Sequence, residues 1–281
     1  MSGAVKLQSI RGIHDGLPDD VRRWRRVERA ARGLFARYGF GEVRLPVLES
    51  TELFVRSIGE ATDIVSKEMY CFTDQGGDPI CLRPEGTAGA VRAYLQAGLT
   101  RAGMQRWFYI GPMFRRERPQ KGRLRQFQQI GVELFGAPGP LEDVEILAMA
   151  HDFLVEIGLS ELSIEINSLG CPVCRPAYRE RLVAYLEARA DRLCGTCRER
   201  ITKNPMRVLD CKVESCQAEL ADAPEMISHL CSECTTHFDG VKAGLDALKV
   251  PYRLNPRIVR GLDYYNRTAF EIVTDQLGAQ G

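Results

Sequence analysis

Between Arg115 and Arg125 the sequence carries six cations, Arg115, Arg116, Arg118, Lys121, Arg123 and Arg125, against one anion, Glu117. The formal net charge of the whole chain is only +1, so this cluster is local and not part of a basic coat. Pro119 to Gly122 is turn chemistry, and the flanks Tyr109–Arg116 and Phe127–Phe135 have the mixed or alternating character of half-buried strands. An antiparallel hairpin with guanidinium forks at its loop matches the oxygens of a polyphosphate. The same charges would also suit a plain solvated hairpin. The second strand breaks the simple pattern: Phe127, Gln129, Gly131, Glu133 and Phe135 share a face, so two polar side chains sit beside aromatics where core is expected. A buried Glu133 needs a compensating charge.

Two further stretches offer chemistry. In Leu82-Arg-Pro-Glu-Gly-Thr87 a turn feeds a helix, so Glu85 and Thr87 stand near its N-terminus, where carboxylates and hydroxyls are common caps. Eight of the ten cysteines fall between Cys171 and Cys234. Cys171 and Cys174, then nineteen residues, then Cys194 and Cys197 is close to a structural zinc spacing, so these four are the candidate zinc ligands; reduced, partly buried thiols are the alternative. Arg175, Arg179, Arg181, Arg192, Arg198, Arg200, Lys203 and Arg207 give this region the cations for nucleic-acid contact, although charge runs on helices are usually just solvated.

The elements that must position these residues follow from periodicity. Val21, Trp24, Val27, Ala31, Leu34, Phe35 and Tyr38 form an amphipathic helical stripe that begins at Pro18 and stops at Gly39. A strand over 42–47 follows, and Pro46 confines it to an edge or interface. A hairpin joins 67–72 to 79–82, and helices are expected over 88–99, 140–157, 177–190 and 224–248. Strands are expected over 162–167, 252–255 and 270–273. His151 belongs to the stripe of the helix over 140–157, at the edge of the core. No apolar run approaches 18 residues and no secretory signal opens the chain, so a cytoplasmic protein with reduced or metal-bound thiols and no membrane partner is expected.

Phe114-Arg-Arg-Glu117, the basic loop, and Arg125-Gln-Phe-Gln-Gln-Ile-Gly-Val-Glu133 together resemble motif 2 of class II aminoacyl-tRNA synthetases. Leu82–Thr87 and Val259-Arg-Gly-Leu-Asp-Tyr-Tyr265 narrow the resemblance to histidyl-tRNA synthetases, and it runs from Ile10 to Gly281. The resemblance implies an α+β class II catalytic fold, an antiparallel sheet flanked by helices, with a mostly helical Cys-rich insertion. It divides the chain into a core over 1–170 with motifs 1 and 2, the insertion over 171–234 placed over the tRNA acceptor arm, and a return to the core over 235–281. The first helix and its strand become motif 1, the homodimer interface. The family's third motif and its anticodon-binding domain lie past the point where the sequence stops. The expectation is therefore a catalytic core truncated before motif 3, slower than a longer chain.

The implied reaction joins L-histidine to ATP, taken with Mg2+, as histidyl-adenylate, and then to tRNA(His). Resemblance gives Arg115 and Arg260 the α-phosphate, where Arg260 acts as the catalytic cation. It gives Glu117 the adenine edge, Arg123 the β- and γ-phosphates, and Phe127 a stacking role. It gives histidine to Glu85, Gly86, Thr87, Gln129, Glu133, Tyr264 and Tyr265. Imidazole needs an acceptor for one ring nitrogen and a donor for the other, which Glu133 and Tyr265 supply. Two other functions remain open: a synthetase-like regulatory subunit of histidine biosynthesis that binds histidine without aminoacylating, and a zinc-dependent nucleic-acid-binding module.

Overall fold

The computed structural model describes residues 7–59, 62, 64–260, 262 and 264–274. Helix α1 (Pro18–Arg37) starts with proline at its first turn and two acids behind it, which suits the positive end of a helix. Only the second half of its apolar stripe is buried, through Ala31, Leu34 and Phe35; Trp24 remains exposed.

The strand expected over 42–47 is replaced by two short pieces, β1 (Gly41–Glu42) and β2 (Leu48–Ser50). The physical reason lies in Arg83. Its Nη1 donates to the carbonyls of Leu45 (2.7 Å) and Pro46 (3.2 Å), and its Nε to that of Pro112 (2.9 Å). The carbonyls a ladder would use are held by a side chain, and Pro46 has no N–H to offer.

Helix α2 (Thr51–Ile58) follows, then a five-residue π-helical turn, Ile64–Glu68, which takes the start of the expected hairpin, and then strands β3 (Tyr70–Thr73) and β4 (Pro79–Leu82). Helix α3 (Thr87–Gln96) leads to the long hairpin of β5 (Gln105–Phe114) and β6 (Gln126–Phe135). Its ladder runs without a break from Gln105 opposite Phe135 to Phe114 opposite Gln126. Helix α4 (Pro140–Glu156) and strand β7 (Ser163–Ser168) come next.

The cysteine-rich region contributes α5 (Arg175–Glu187), α6 (Gly195–Lys203) and α7 (Glu214–Glu219). Helix α8 (Ser232–Leu248) begins later than the periodicity implies, because 226–229 is a separate 3-10 turn. Strands β8 (Tyr252–Leu254) and β9 (Thr268–Val273) complete the order.

Among the described residues the strands pair as β1-β5-β6, β2-β4-β3 and β8-β7-β9; β1 with β5 and β7 with β8 are parallel, the rest antiparallel. Helix α4 joins two cores. Met149 packs with Leu34, Phe35 and Phe108, while Val144 and Leu147 pack with Ile164, Ile166, Phe238 and Val241. The cysteine-rich region has a core of its own, built on Tyr178, Leu182, Leu186, Ile201, Val208 and Leu220.

Candidate active site

The β5–β6 hairpin sets the site. Gly131 lies opposite Tyr109, and a methyl group at Gly131 or at Gly86 would overlap the Tyr109 ring. The two glycines let this ring lie flat between the hairpin and the start of α3. From there the Tyr109 hydroxyl donates to Glu133 Oε1 at 3.2 Å. The Thr87 hydroxyl lies close to Glu133, Tyr109 and Tyr264, near enough to lower the pKa of each. Tyr264 and Tyr265 stack with ring centroids 5.2 Å apart. Glu85, Gly86, Thr87, Glu133, Tyr264 and Tyr265 are thus brought into one enclosure. Gln129 is on the same strand face as Glu133, and its Oε1 is buried without a hydrogen-bond partner among the described residues.

Electrostatics in this enclosure are unusual. Burial first, and the neighbouring Glu85 charge next, push the Glu133 carboxyl up from 4.5 to about 7, against the lowering effect of the Thr87 and Tyr109 hydroxyls. Burial likewise raises Glu85, opposed by backbone N–H groups. These groups are those of Thr87 (2.6 Å) and Ala88 (2.8 Å), one on each carboxylate oxygen, so Glu85 caps α3. Each oxygen keeps a lone pair for a second donor. The phenols of Tyr109, Tyr264 and Tyr265 are all raised, by burial above all, and remain neutral donors.

The cations adjoin this enclosure. Arg115 donates from Nε to the Pro84 carbonyl (2.9 Å) and lies over the Phe127 ring at 5.2 Å. Arg123 Nη1 is 3.4 Å from Glu117 Oε2, and Arg115 Nη1 is 3.9 Å from Glu117 Oε1. Arg260 pairs through Nη1 with Glu271 (2.9 Å), donates through Nη2 to the Phe270 carbonyl, and sits over the Tyr265 ring. Arg115, Arg123 and Arg260 line two adjoining cavities of about 610 and about 1450 Å3. Arg207 lines both, and Arg200 and Lys203 of α6 wall the larger one, so three of the cations noted in the cysteine-rich region face the cavity. Gly261 and Asp263 of the 259–265 signature lie outside the described residues.

The four cysteines expected to form one zinc set are not brought together. Cys171 and Cys174 meet Cys231 and Cys234, while Cys194 and Cys197 meet Cys211 and Cys216. The thirteen residues of α5 intervene, and at ~1.5 Å per residue they carry the second pair ~20 Å along the chain. Sequence reasoning also missed Tyr109 and Arg83. The signal for Tyr109 was present: a tyrosine on a strand whose partner strand offers a glycine. Arg83 is buried and binds carbonyls from two distant segments, which nothing local announces.

The family model for histidyl-tRNA synthetase matches residues 12–280. The histidine–tRNA ligase of Anaeromyxobacter sp. (strain K) is 55% identical over 276 residues, 98% of this chain and 66% of that protein. That of Parasynechococcus marenigrum is 56% identical over 98% of this chain and 64% of its own length. The apo histidyl-tRNA synthetase of S. aureus superposes with a TM-score of 0.75 at 38% identity, covering 96% of this chain and 62% of that one. The chain therefore spans about two thirds of the length of these relatives. Its α+β architecture is that of the class II synthetase catalytic fold, and the chain belongs to the histidyl-tRNA synthetase family.

Proposed function

We propose that this chain binds L-histidine and ATP with Mg2+, forms histidyl-adenylate, and passes the histidyl group to the terminal ribose of tRNA(His). The observation that carries the reading is a single juxtaposition. Glu85, Thr87, Glu133, Tyr264 and Tyr265 lie together, and guanidinium groups adjoin them: Arg115 bonds the Pro84 carbonyl beside Glu85, Arg260 sits over the Tyr265 ring, and both line one cavity with Arg123. Glu133 accepts from one imidazole nitrogen and a neutral tyrosine, Tyr265, donates to the other. Glu85 and the Gln129 oxygen take the α-ammonium group. Arg115 and Arg260 meet the charge that grows on the α-phosphate during displacement, Arg123 reaches the outer phosphates, Phe127 stacks on adenine and Glu117 binds its edge.

Residues 171–234 act in this proposal as a module inserted in the catalytic core, with Arg200, Lys203 and Arg207 facing the acceptor end of the tRNA. The segment from α1 to β2, with Trp24, Val47 and Leu48 exposed, forms a homodimer interface. Among the described residues no helix is long and apolar enough to cross a membrane. A cytoplasmic site of action follows from the substrates. A binding-only regulatory role gives no chemical use for Arg115, Glu117, Arg123 and Arg260 around one cavity.

The test is exchange of labelled pyrophosphate into ATP by the protein at its native length. Exchange should depend on histidine and on no other amino acid. Histidine binding without exchange would replace this reading with the regulatory one, and neither would end both.

A further inference from the structure

The eight cysteines between Cys171 and Cys234 have no part in the proposed reaction, yet they are not scattered. In each of two groups of four, all sulfur atoms lie within 4.8 Å of one another. In the first group Cys171 Sγ is 3.7 Å from Cys174 Sγ and 3.8 Å from Cys231 Sγ, and Cys174 Sγ is 3.9 Å from Cys234 Sγ. In the second, Cys194 Sγ is 4.0 Å from Cys211 Sγ. A tetrahedron of thiolates around zinc, with Zn–S bonds of about 2.3 Å, has edges of about 3.8 Å. A disulfide would need its sulfurs about 2.05 Å apart. Simple apolar packing has no reason to surround each sulfur with three others twice over.

The backbone supports the same interpretation. The Cys171 N–H donates to Cys174 Sγ (3.1 Å) and the Cys194 N–H to Cys216 Sγ (3.2 Å), the kind of bond that stabilises a ligating thiolate and fixes its direction. The knuckle before Cys171 is tight. Gly170 has φ +64°, and a Cβ there would stand 2.8 Å from Cys174 Sγ.

We propose that the chain holds two structural Zn2+ ions, one on Cys171, Cys174, Cys231 and Cys234 and the other on Cys194, Cys197, Cys211 and Cys216. Four protein ligands close each site, so neither ion keeps a position open for water or substrate. The first site joins residues 60 apart and fastens the entry of the cysteine-rich region to its exit at α8. The second ties the start of α6 to Cys211, just after the 3-10 turn Pro205–Val208, and to Cys216 within α7. For a unit of this size, two metal staples offset part of the chain entropy it must lose on folding. The first knuckle also reaches the active site. Arg175, one residue past Cys174, donates to the carbonyls of Leu169 (2.9 Å) and Tyr265.

The experiment is elemental analysis of the protein purified without chelator, with zinc counted per chain. Two zinc ions are expected. Cys231→Ser and Cys211→Ser should each leave one, the double variant none, and Cys71→Ser both. Cobalt replacement offers a measurement that needs no variant: the wild-type protein should take up two Co2+ and show the intense visible and thiolate charge-transfer bands of tetrahedral sulfur sites. Zinc absent, iron in its place, or a stoichiometry of one overturns the proposal. So does zinc content unchanged from the wild type in both Cys231→Ser and Cys211→Ser; a single ion that survives both would return the site to the Cys171, Cys174, Cys194 and Cys197 set. The readout is independent of aminoacylation, so failure of the proposed function leaves it standing.

Discussion

Glu133→Gln should push stability and function in opposite directions. In the ligand-free chain the Glu133 carboxyl is raised from 4.5 to about 7, burial being the main cause. The folded state thus holds a proton that the unfolded chain releases between those two values. The stability this confers is fully present below pH 4.5 and is lost as pH rises through about 7. At about 1.4 kcal/mol per pH unit, the loss amounts to roughly 3 kcal/mol by pH 8. Glutamine occupies the same space without a charge to desolvate and keeps an acceptor for the Tyr109 hydroxyl. Urea unfolding of the ligand-free protein should therefore give nearly equal stabilities at pH 4.5, with the variant ahead at pH 8. Histidine binding should move the other way. A hydrogen bond to a charged group contributes about 1.5–3 kcal/mol, so the variant should bind histidine roughly 10- to 150-fold more weakly, with ATP affinity unchanged. In the native protein, affinity should fall as pH drops below about 7, because Glu133 then takes up its proton. A variant that is less stable at pH 8, or that binds histidine normally by calorimetry, refutes the reasoning.

Tyr109→Phe removes the hydroxyl that bonds Glu133 at 3.2 Å, so the carboxyl should titrate still higher and histidine affinity should fall by about tenfold or more in calorimetry. Gly131→Ala drives a methyl group into the buried Tyr109 ring and should cost about 1–3 kcal/mol in urea unfolding; an unchanged midpoint would mean the ring has room to move. Arg260→Ala should slow single-turnover adenylate formation by about 100-fold or more while ligand affinities change little, since a fixed donor to developing charge contributes about 2.7–4 kcal/mol. Near-normal single-turnover rates would remove Arg260 from the chemistry.

Much of this was legible from local pattern. The β5–β6 hairpin announced itself by alternation flanking a turn, and α1 and α4 by their apolar stripes, because those signals come from neighbours in sequence. The polar pair Gln129 and Glu133 on an aromatic face stood out for the same reason, and the structure buries the Glu133 carboxyl and the Gln129 Oε1. What was not legible depends on distant segments. Residues 43–47 look like one strand until the Arg83 guanidinium takes the Leu45 and Pro46 carbonyls. The cysteine spacing suggested one zinc set, whereas the partner sulfurs of Cys171 and Cys174 arrive 60 residues later, on the first turn of α8 and its cap. Spacing within a pair says that two sulfurs converge; it carries no information about which second pair meets them.

The single anion of the basic loop acquires a purpose in this arrangement. Arg115, Arg123 and Arg260 border the same cavities, and three guanidinium groups so placed repel one another without counter-charge. Glu117 lies between Arg115 and Arg123, but its Oε2 is buried and accepts no aligned hydrogen bond, although Arg123 is 3.4 Å away. This is a pair held by charge with poor geometry, and a phosphate that offers bidentate oxygens would displace it at low cost. Arg260 differs: Glu271 and the Phe270 carbonyl both fix it to β9, and its Nε is buried with no partner among the described residues. One cation is therefore fixed to β9 in advance, while the contact between Arg123 and Glu117 is a charge pair without an aligned hydrogen bond on Oε2. Under the proposed reaction that division is the useful one. The α-phosphate, where bonds change, meets the preset arginine; the outer phosphates, which leave as pyrophosphate, offer Arg123 the bidentate oxygens that Glu117 does not.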